Sequence, residues 1–214
     1  MKTFLLVTFA VLVPVLLSGQ PRSSVASGHT AKDPSKEQRW FNAATCNGSV
    51  AETKWTLVAD KSPNPACITG KDVEKGVLDF DANEDQSAIL PFTLPPHFAG
   101  NIHVTIMWQP ASAIGSVGWC VELIPAGALK REGGGPISQT ARNCASEEAK
   151  KSAHHLEREL VINLVAEAPA RGNDVWHIRL SRDANSSVVL DDMPGDARLV
   201  RVGIETHEAA RGAL

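Results

Sequence analysis

The acidic segment 79–85 has the clearest metal-ligand spacing in this chain. Glu84 replaces the glycine usual at the sixth position of a calcium loop, and Leu90 replaces its closing glutamate, so the segment is not an EF-hand. A structural calcium ion is one interpretation, and a solvated acidic turn is the alternative. The candidate ligands are oxygen-bearing side chains at every second position, Asp79, Asp81, Asn83 and Asp85.

A second acidic loop surrounds the Pro-Gly turn at 194–195. Its carboxylates, Asp191, Asp192 and Asp196, would bind a cation, cap the turn or stay solvated, and solvation is the simplest interpretation. The seven histidines are scattered, and the His-x-His pattern of metal-binding β-barrels is absent. Adjacent His154 and His155 would point to opposite faces of a strand. We therefore predict no catalytic metal and no cofactor other than the candidate calcium.

The sequence contains no recognisable catalytic motif. A Gly-x-Ser-x-Gly elbow is missing, and the glycine run before Pro136 lacks the Gly-Lys-Ser of a phosphate-binding loop. Glu122 with Glu157 or Glu159 is a candidate carboxylate pair for glycoside hydrolysis. The period of its strand makes Glu122 an ordinary outward-facing charge. We assign no catalytic residue and predict that the protein is not an enzyme.

The five tryptophans divide into two groups. Trp108, Trp119 and Trp176 occupy the apolar phase of alternating segments, which places them in a core. Trp40 and Trp55 are less constrained by any periodicity. An exposed tryptophan offers an apolar ring with a polar N–H, which suits a ligand contact. Trp40 and Trp55 are therefore the candidate ligand-contact residues.

The four cysteines indicate disulfides in an exported chain. Three pairings can be drawn. We favour Cys46–Cys67 and Cys120–Cys144, because each closes a local loop between adjacent segments. A loop of this length would stabilise the fold by about 3 kcal/mol in the chain-entropy model. Zinc is the alternative, but the spacing lacks C-x-x-C and a histidine at finger-like distance.

The N-terminus has the composition of a secretory signal peptide. Lys2 supplies a positive charge, residues 4–17 form an apolar run, and small residues follow at 18–19. A membrane span needs about 20 apolar residues, and Pro14 interrupts this shorter run. We predict a secreted or periplasmic protein with no membrane span after processing. The predicted organisation is a signal peptide over 1–19, a flexible linker over 20–38 and a single β-sandwich domain over 39–208.

β-Strands predicted from the alternation of apolar and polar residues would position these side chains. Segments 102–108 and 117–123 alternate apolar and polar side chains, and each carries a tryptophan. Their short connection predicts an antiparallel pair of neighbouring strands, with Trp108 and Trp119 facing one interior. Further strands are predicted at 54–59, 76–80, 86–93, 137–145, 160–165, 176–181 and 200–205, with one helical segment at 147–158.

About eight short strands separated by Gly, Pro, Asn and Asp indicate an all-β protein. No strand–helix alternation suggests a parallel sheet. We predict a jelly-roll-like antiparallel β-sandwich of about eight strands. The formal charge of −3 shows no basic excess, so nucleic acid is not an expected partner.

Five short motifs are distributed over residues 90–199. They are Leu-Pro-Phe-Thr-Leu-Pro at 90–95, Gly-Asn-Ile-His-Val-Thr-Ile-Met-Trp at 100–108, Val-Gly-Trp at 117–119, Arg-Leu-Ser-Arg-Asp at 179–183 and Asp-Ala-Arg-Leu at 196–199. With these motifs, roughly residues 77–206 resemble a group of uncharacterised β-sandwich proteins found among phage appendage proteins and exported bacterial proteins. The similarity implies a sandwich fold and no catalytic residues, and the signal peptide distinguishes this chain from the phage members.

The leading functional hypothesis is an exported, non-enzymatic β-sandwich that acts as a surface binding, adhesion or structural module. A carbohydrate-binding module and a secreted polysaccharide-active jelly-roll enzyme are the alternatives. The expected partner is a carbohydrate or a protein surface. Exposed aromatic residues on one sheet would favour sugar binding, and a cleft with two carboxylates about 5 to 10 Å apart would favour the enzyme.

Overall fold

The described part of the computed structural model contains eleven β-strands. The structure describes residues 36–46, 53–58, 61–69, 74–96, 98–126, 141–149, 157–165 and 174–208. The strands are Lys36–Asn42 (β1), Thr56–Leu57 (β2), Asn64–Thr69 (β3), Glu74–Phe80 (β4), Ser87–Thr93 (β5), Phe98–Pro110 (β6), Ser116–Pro125 (β7), Ala141–Glu148 (β8), Arg158–Val165 (β9), Val175–Arg182 (β10) and Ala197–Glu208 (β11).

The strands form two antiparallel sheets packed as a sandwich. Sheet A has the order β3-β4-β11-β6-β9, and β1 pairs with β11 beside β4. Sheet B has the order β2-β5-β10-β7-β8. From β4 to β11 every connection except β7–β8 crosses between sheets, which gives the interleaved strand order of a jelly roll. The predicted all-β jelly-roll-like sandwich is confirmed.

The predicted pairing of the two tryptophan strands is wrong. Trp108 lies on β6 in sheet A, whereas Trp119 lies on β7 in sheet B. Their rings meet across the core, with centroids 6.3 Å apart and planes at 65°. A short connection can cross the roughly 10 Å between packed sheets as readily as it can form a hairpin, so its length does not decide the pairing. The prediction that both rings face one interior holds.

Alternation along each strand creates the core. Ile102, Val104 and Ile106 on β6 are fully buried, and the residues between them point away from the core. Sheet B supplies the facing layer, including Trp176 and Leu123. The predicted core positions of the three periodic tryptophans therefore agree with the structure.

A buried ion pair anchors the loop between β10 and β11. Arg182 is fully buried and makes a two-pronged contact with Asp191, Nε to Oδ2 and Nη2 to Oδ1, each 2.8 Å. Its remaining N–H groups donate to the carbonyls of Phe80, Met193 and Gly195. All five donors of the guanidinium are thereby used. One side chain thus ties β4, β10 and the loop together.

Both expected disulfides are present, Cys46–Cys67 and Cys120–Cys144. Cys120 and Cys144 are direct cross-strand partners on β7 and β8. Cys46 follows β1, and Cys67 lies on β3. No cysteine is free.

Several predicted boundaries change. β1 begins at Lys36, so the end of the predicted linker belongs to sheet A, while the signal peptide and the rest of the linker lie outside the described residues. The predicted helix at 147–158 is wrong at both ends, because β8 runs through Glu148 and β9 starts at Arg158. Charged residues can extend edge strands, where one face is solvated. Within the described ranges, no helix has the length and apolarity to cross a membrane.

Candidate functional site on the outer face of sheet A

The outer face of sheet A, the side away from the core, is an ordered grid of side chains. Strand register places residues from β1, β11, β6 and β9 side by side, and directly opposed residues share a face. The central row is Trp40, Gly203, Thr105 and Val161. The row on one side is Gln38, Glu205, His103 and Asn163, and the row on the other is Asn42, Arg201, Met107 and Glu159.

Trp40 is the exposed aromatic residue of this face. It is 43% exposed, although it belongs to a paired strand. Its ring lies against the backbone of Gly203, where an added Cβ would be 2.9 Å from Trp40 Cη2 and Cζ3. The guanidinium carbon of Arg201 is 4.7 Å from the ring centroid, within cation–π range. The indole is therefore positioned by its neighbours and still open to a ligand.

Apolar side chains are exposed at both ends of the central row. Trp40 is at one end, and Val161, which is 47% exposed, is at the other. Gly203 and the buried Thr105 lie between them. Three strand spacings of about 4.8 Å make this row roughly 14 Å long. The flanking rows present amides, an imidazole, carboxylates, a guanidinium and the thioether of Met107. A ligand with an apolar face and polar edges would match this arrangement.

An open cleft of about 590 Å³ adjoins the grid and shares Asn42 and Arg201 with it. It lies where β1 and β4 both flank β11, and Glu74 also contributes to its lining. Lys75 forms an ion pair with Glu157 there. The cleft therefore continues the polar surface beyond the row that contains Asn42 and Arg201.

At the opposite end of the grid, His103, Glu205 and His207 converge. Their ligand atoms all lie within 4.8 Å of one another. The imidazole rings of the two histidines are 4.8 Å apart between centroids. This group is not predictable from the sequence, because the pairing of β6 with β11 is not visible there. The available signal was the spacing of Glu205 and His207, which puts both on one face of a strand.

Of the two predicted ligand-contact residues, the structure leaves only Trp40 accessible. Trp55 is 4% exposed, and its Nε1 donates to the carbonyl of Asn42 at 3.0 Å. It packs in the hydrophobic core. The expectation for Trp55 is therefore corrected. The residue immediately precedes β2, and its indole packs into the core at that point.

The candidate calcium ligands do not converge. Asp79 faces Arg198, Nε to Oδ1 3.4 Å, and burial raises the pKa of its carboxyl although Arg198 lowers it. Asp81 Oδ1 accepts from the N–H and the Nδ2 of Asn83, at 2.6 and 3.2 Å. Asp85 accepts from the backbone N–H and the side-chain amide of Asn185. The three carboxylates are directed at separate partners and do not surround a common centre.

In the second acidic loop Asp191 has a structural role, whereas Asp192 is exposed and Asp196 is half-buried. Asp191 is buried against Arg182, and Asp192 Oδ1 accepts from the N–H of Ser116 at 2.6 Å. The nearby Asp183 has opposing influences on its carboxyl. Burial raises the pKa of this carboxyl. Hydrogen bonds from Ser187 Oγ and from the N–H groups of Val188 and Val189 lower it by more, so the pKa lies below its ordinary value.

The candidate carboxylate pair is separated. Glu122 lies on the outer side of sheet B, 2.8 Å from Arg179 Nη1, in a cleft of about 300 Å³. Glu159 lies on the outer face of sheet A, opposite Met107. Glu157 pairs with Lys75 in the cleft beside β1. Neither combination shares a cleft.

No protein-family model matches the chain, and no curated protein matches it. The CBM22-2 xylan-binding domain of Paenibacillus barcinonensis Xyn10C is similar at TM-score 0.46 and 10% identity, over 79% of this chain and 99% of that one. The CBM22-1 xylan-binding domain of the same protein gives 0.44 and 11%, over 81% and 95%. The enzymatically active domain of bacteriophage CBA120 tailspike protein 4 gives 0.41 and 10%, over 78% of this chain and 21% of that one.

Proposed function

We propose that this protein is an exported, non-catalytic binding module that holds a carbohydrate on the outer face of sheet A. Export is supported by the two disulfides, which persist in oxidising compartments. The ligand class is supported by the composition of the face. The adhesion role considered from the sequence would follow from such binding.

The exposed indole of Trp40 carries the proposal. Its ring lies against Gly203 and contacts the Arg201 guanidinium at cation–π distance, so little conformational freedom is lost when a ligand stacks on it. The C–H face of a pyranose is apolar and flat, and it packs on an aromatic ring. A tryptophan in this position is the residue type that dominates binding energy at interfaces.

The polar rows support a sugar over a purely apolar ligand. Gln38 and Asn163 offer amide donors and acceptors on one side of the central row, and Asn42 does so on the other. Sugar hydroxyls need both kinds of group at the edge of the stacked ring. The central row, roughly 14 Å long, has the length of a short oligosaccharide.

The non-catalytic part of the proposal is supported by the distribution of carboxylates. Glycoside hydrolysis uses two carboxyl groups that flank one bond. Glu122 and Glu159 lie on the outer faces of different sheets, and both Glu122 and Glu157 are held by cations. The direct check is to incubate the protein with each polysaccharide that it binds and to measure new reducing ends. Release of reducing ends would overturn this part.

The binding test compares two variants by affinity electrophoresis in gels that contain neutral glucan, xylan, galactan or an acidic uronan. Trp40→Ala should lose about 2 kcal/mol of binding, or roughly 30-fold in affinity, for the polysaccharide that retards the wild-type protein. Ile114→Ala removes an exposed apolar side chain from a loop off the face and should bind normally. Ile114→Ala should also melt close to wild type, because Ile114 is 62% exposed. A melting curve of Trp40→Ala shows that this variant is folded at the temperature of the binding assay.

Two results would overturn the proposal. If none of these polysaccharides retards the wild-type protein, the ligand class is wrong, and a protein surface becomes the better candidate partner for the exposed tryptophan. If retardation persists unchanged in Trp40→Ala, the carbohydrate binds elsewhere and the outer face of sheet A is not the binding surface.

A further inference from the structure

We propose that His103, Glu205 and His207 bind one divalent transition-metal ion, with zinc as the best match. This inference is independent of carbohydrate binding. It concerns the end of the outer face of sheet A next to the Trp40 row. Two imidazoles and one carboxylate are a ligand set that suits zinc and, in the same class, copper or nickel.

The fold brings the three side chains together on rigid strands. Glu205 and His207 are two residues apart on β11, so both project from the same face. His103 lies on β6 directly opposite Glu205. A site built on paired strands is more precise than one built on loops.

The distances fit a small tetrahedral ion. His207 Nε2 is 3.2 Å from Glu205 Oε1, and His103 Nδ1 is 3.7 Å from the same oxygen. Ligands bonded to zinc at about 2.1 Å in tetrahedral geometry are separated by about 3.4 Å from one another. The two separations from Glu205 Oε1 therefore lie on either side of the value expected for an occupied site, and the ligand atoms of the two histidines lie within 4.8 Å of each other.

His207 provides a second, separate observation. Its Nε2 atom is shielded from solvent and has no hydrogen-bond partner among the described residues. A shielded polar atom without a partner is costly unless something binds it. The nearby Glu205 oxygen is within ion-pair distance but does not form a hydrogen bond with it. A metal ion between them would satisfy both atoms.

Lys36 is the competing cation. Its Nζ is 3.2 Å from Glu205 Oε1, on the β1 side of the cluster. The Lys36 side chain is 44% exposed, so it can turn into solvent when a doubly charged ion arrives. The three protein ligands leave a fourth zinc position, and that position would be taken by water or by a ligand atom.

The test is isothermal titration of the untagged, chelator-treated full-length protein with zinc chloride. We expect one ion per chain. His103→Ala, His207→Ala and Glu205→Gln should each weaken zinc binding at least tenfold, since even indirect partners of metal ligands cost 10- to 100-fold. Lys36→Met removes the competing charge and should bind zinc at least as tightly as wild type. Calcium should not compete, because imidazole suits zinc and not calcium.

His177→Gln is the matched control, since it removes a histidine from the other sheet. It should bind zinc as wild type does. Melting curves in chelator, where no ion is bound, should be similar for all variants and will separate loss of the site from loss of the fold. The proposal is overturned if the folded wild-type protein takes up no zinc, or if the three ligand variants bind it as tightly as wild type.

Discussion

Trp108 and Trp119 contact each other edge to face across the core, although they belong to different sheets. Each ring is fully buried. Trp119 also packs edge to face on Phe80, with centroids 5.0 Å apart. The two tryptophans therefore join the sheets at one point and make the packing of either sheet dependent on the other.

Replacing Trp108 or Trp119 by Ala should destabilise the protein by about 3 to 5 kcal/mol, because each change leaves a large cavity in the core. The free energy of unfolding in urea measures this. His103→Ala, on the outer face of the same strand as Trp108, should cost much less. If the tryptophan variants unfold at the wild-type midpoint while the His103 variant does not, the strand phase would have to be reversed.

Gly203→Ala should reduce ligand binding at Trp40, although the added methyl group would contact the indole and not the ligand. The new Cβ would lie 2.9 Å from the indole ring, so Trp40 must move. The measurement is polysaccharide affinity together with tryptophan fluorescence. In a Trp40→Ala background the same glycine change should have little further effect on binding. Equal losses in both backgrounds would show that Gly203 acts independently of the indole.

Removing one partner of the buried Arg182–Asp191 pair should cost about 3 to 5 kcal/mol, since the other charge stays buried and unpaired. Arg182→Lys should also be destabilising, because an ammonium has three donors where the guanidinium uses five. Chemical denaturation checks both. A lysine variant as stable as wild type would mean that the carbonyls of Phe80, Met193 and Gly195 do not need their hydrogen bonds.

The stability contributed by Asp183 should depend on pH. Its folded-state pKa is lowered from the ordinary value of 3.8, so its contribution is present above that value and is lost as pH falls through the folded-state pKa. The difference in melting temperature between wild type and Asp183→Asn should be widest at neutral pH and should narrow below pH 3.8. A gap that stays constant down to the acid limit would contradict the role of its hydrogen bonds.

Local periodicity predicted most of the strands and the buried tryptophans. The alternation of apolar and polar residues indicates which face of a strand is buried, and a few consecutive residues are enough to show it. The exposed Trp40 was a candidate for the same reason, because no periodicity required its burial. Trp55 lacked periodicity as well, yet it packs in the core immediately before β2.

The site required information that the sequence does not carry locally. His103 and His207 meet only because β6 pairs with β11, and strand pairing across such distances depends on topology. The same holds for Arg182 and Asp191, where a turn that looked solvated is closed by a buried guanidinium. The short connection after Trp108 was equally ambiguous, since it crosses between sheets and does not form a hairpin.

Each disulfide fastens a strand at the border of a sheet. Cys67 lies on β3, the outermost strand of sheet A, and Cys144 lies on β8, the outermost strand of sheet B. Edge strands are where a sheet begins to open, where a strand can be exchanged with a second copy, and where other chains can pair and form aggregates. The covalent bonds hold these two strands in place even when the surrounding hydrogen bonds open transiently. They therefore protect the sandwich from self-association at these two borders.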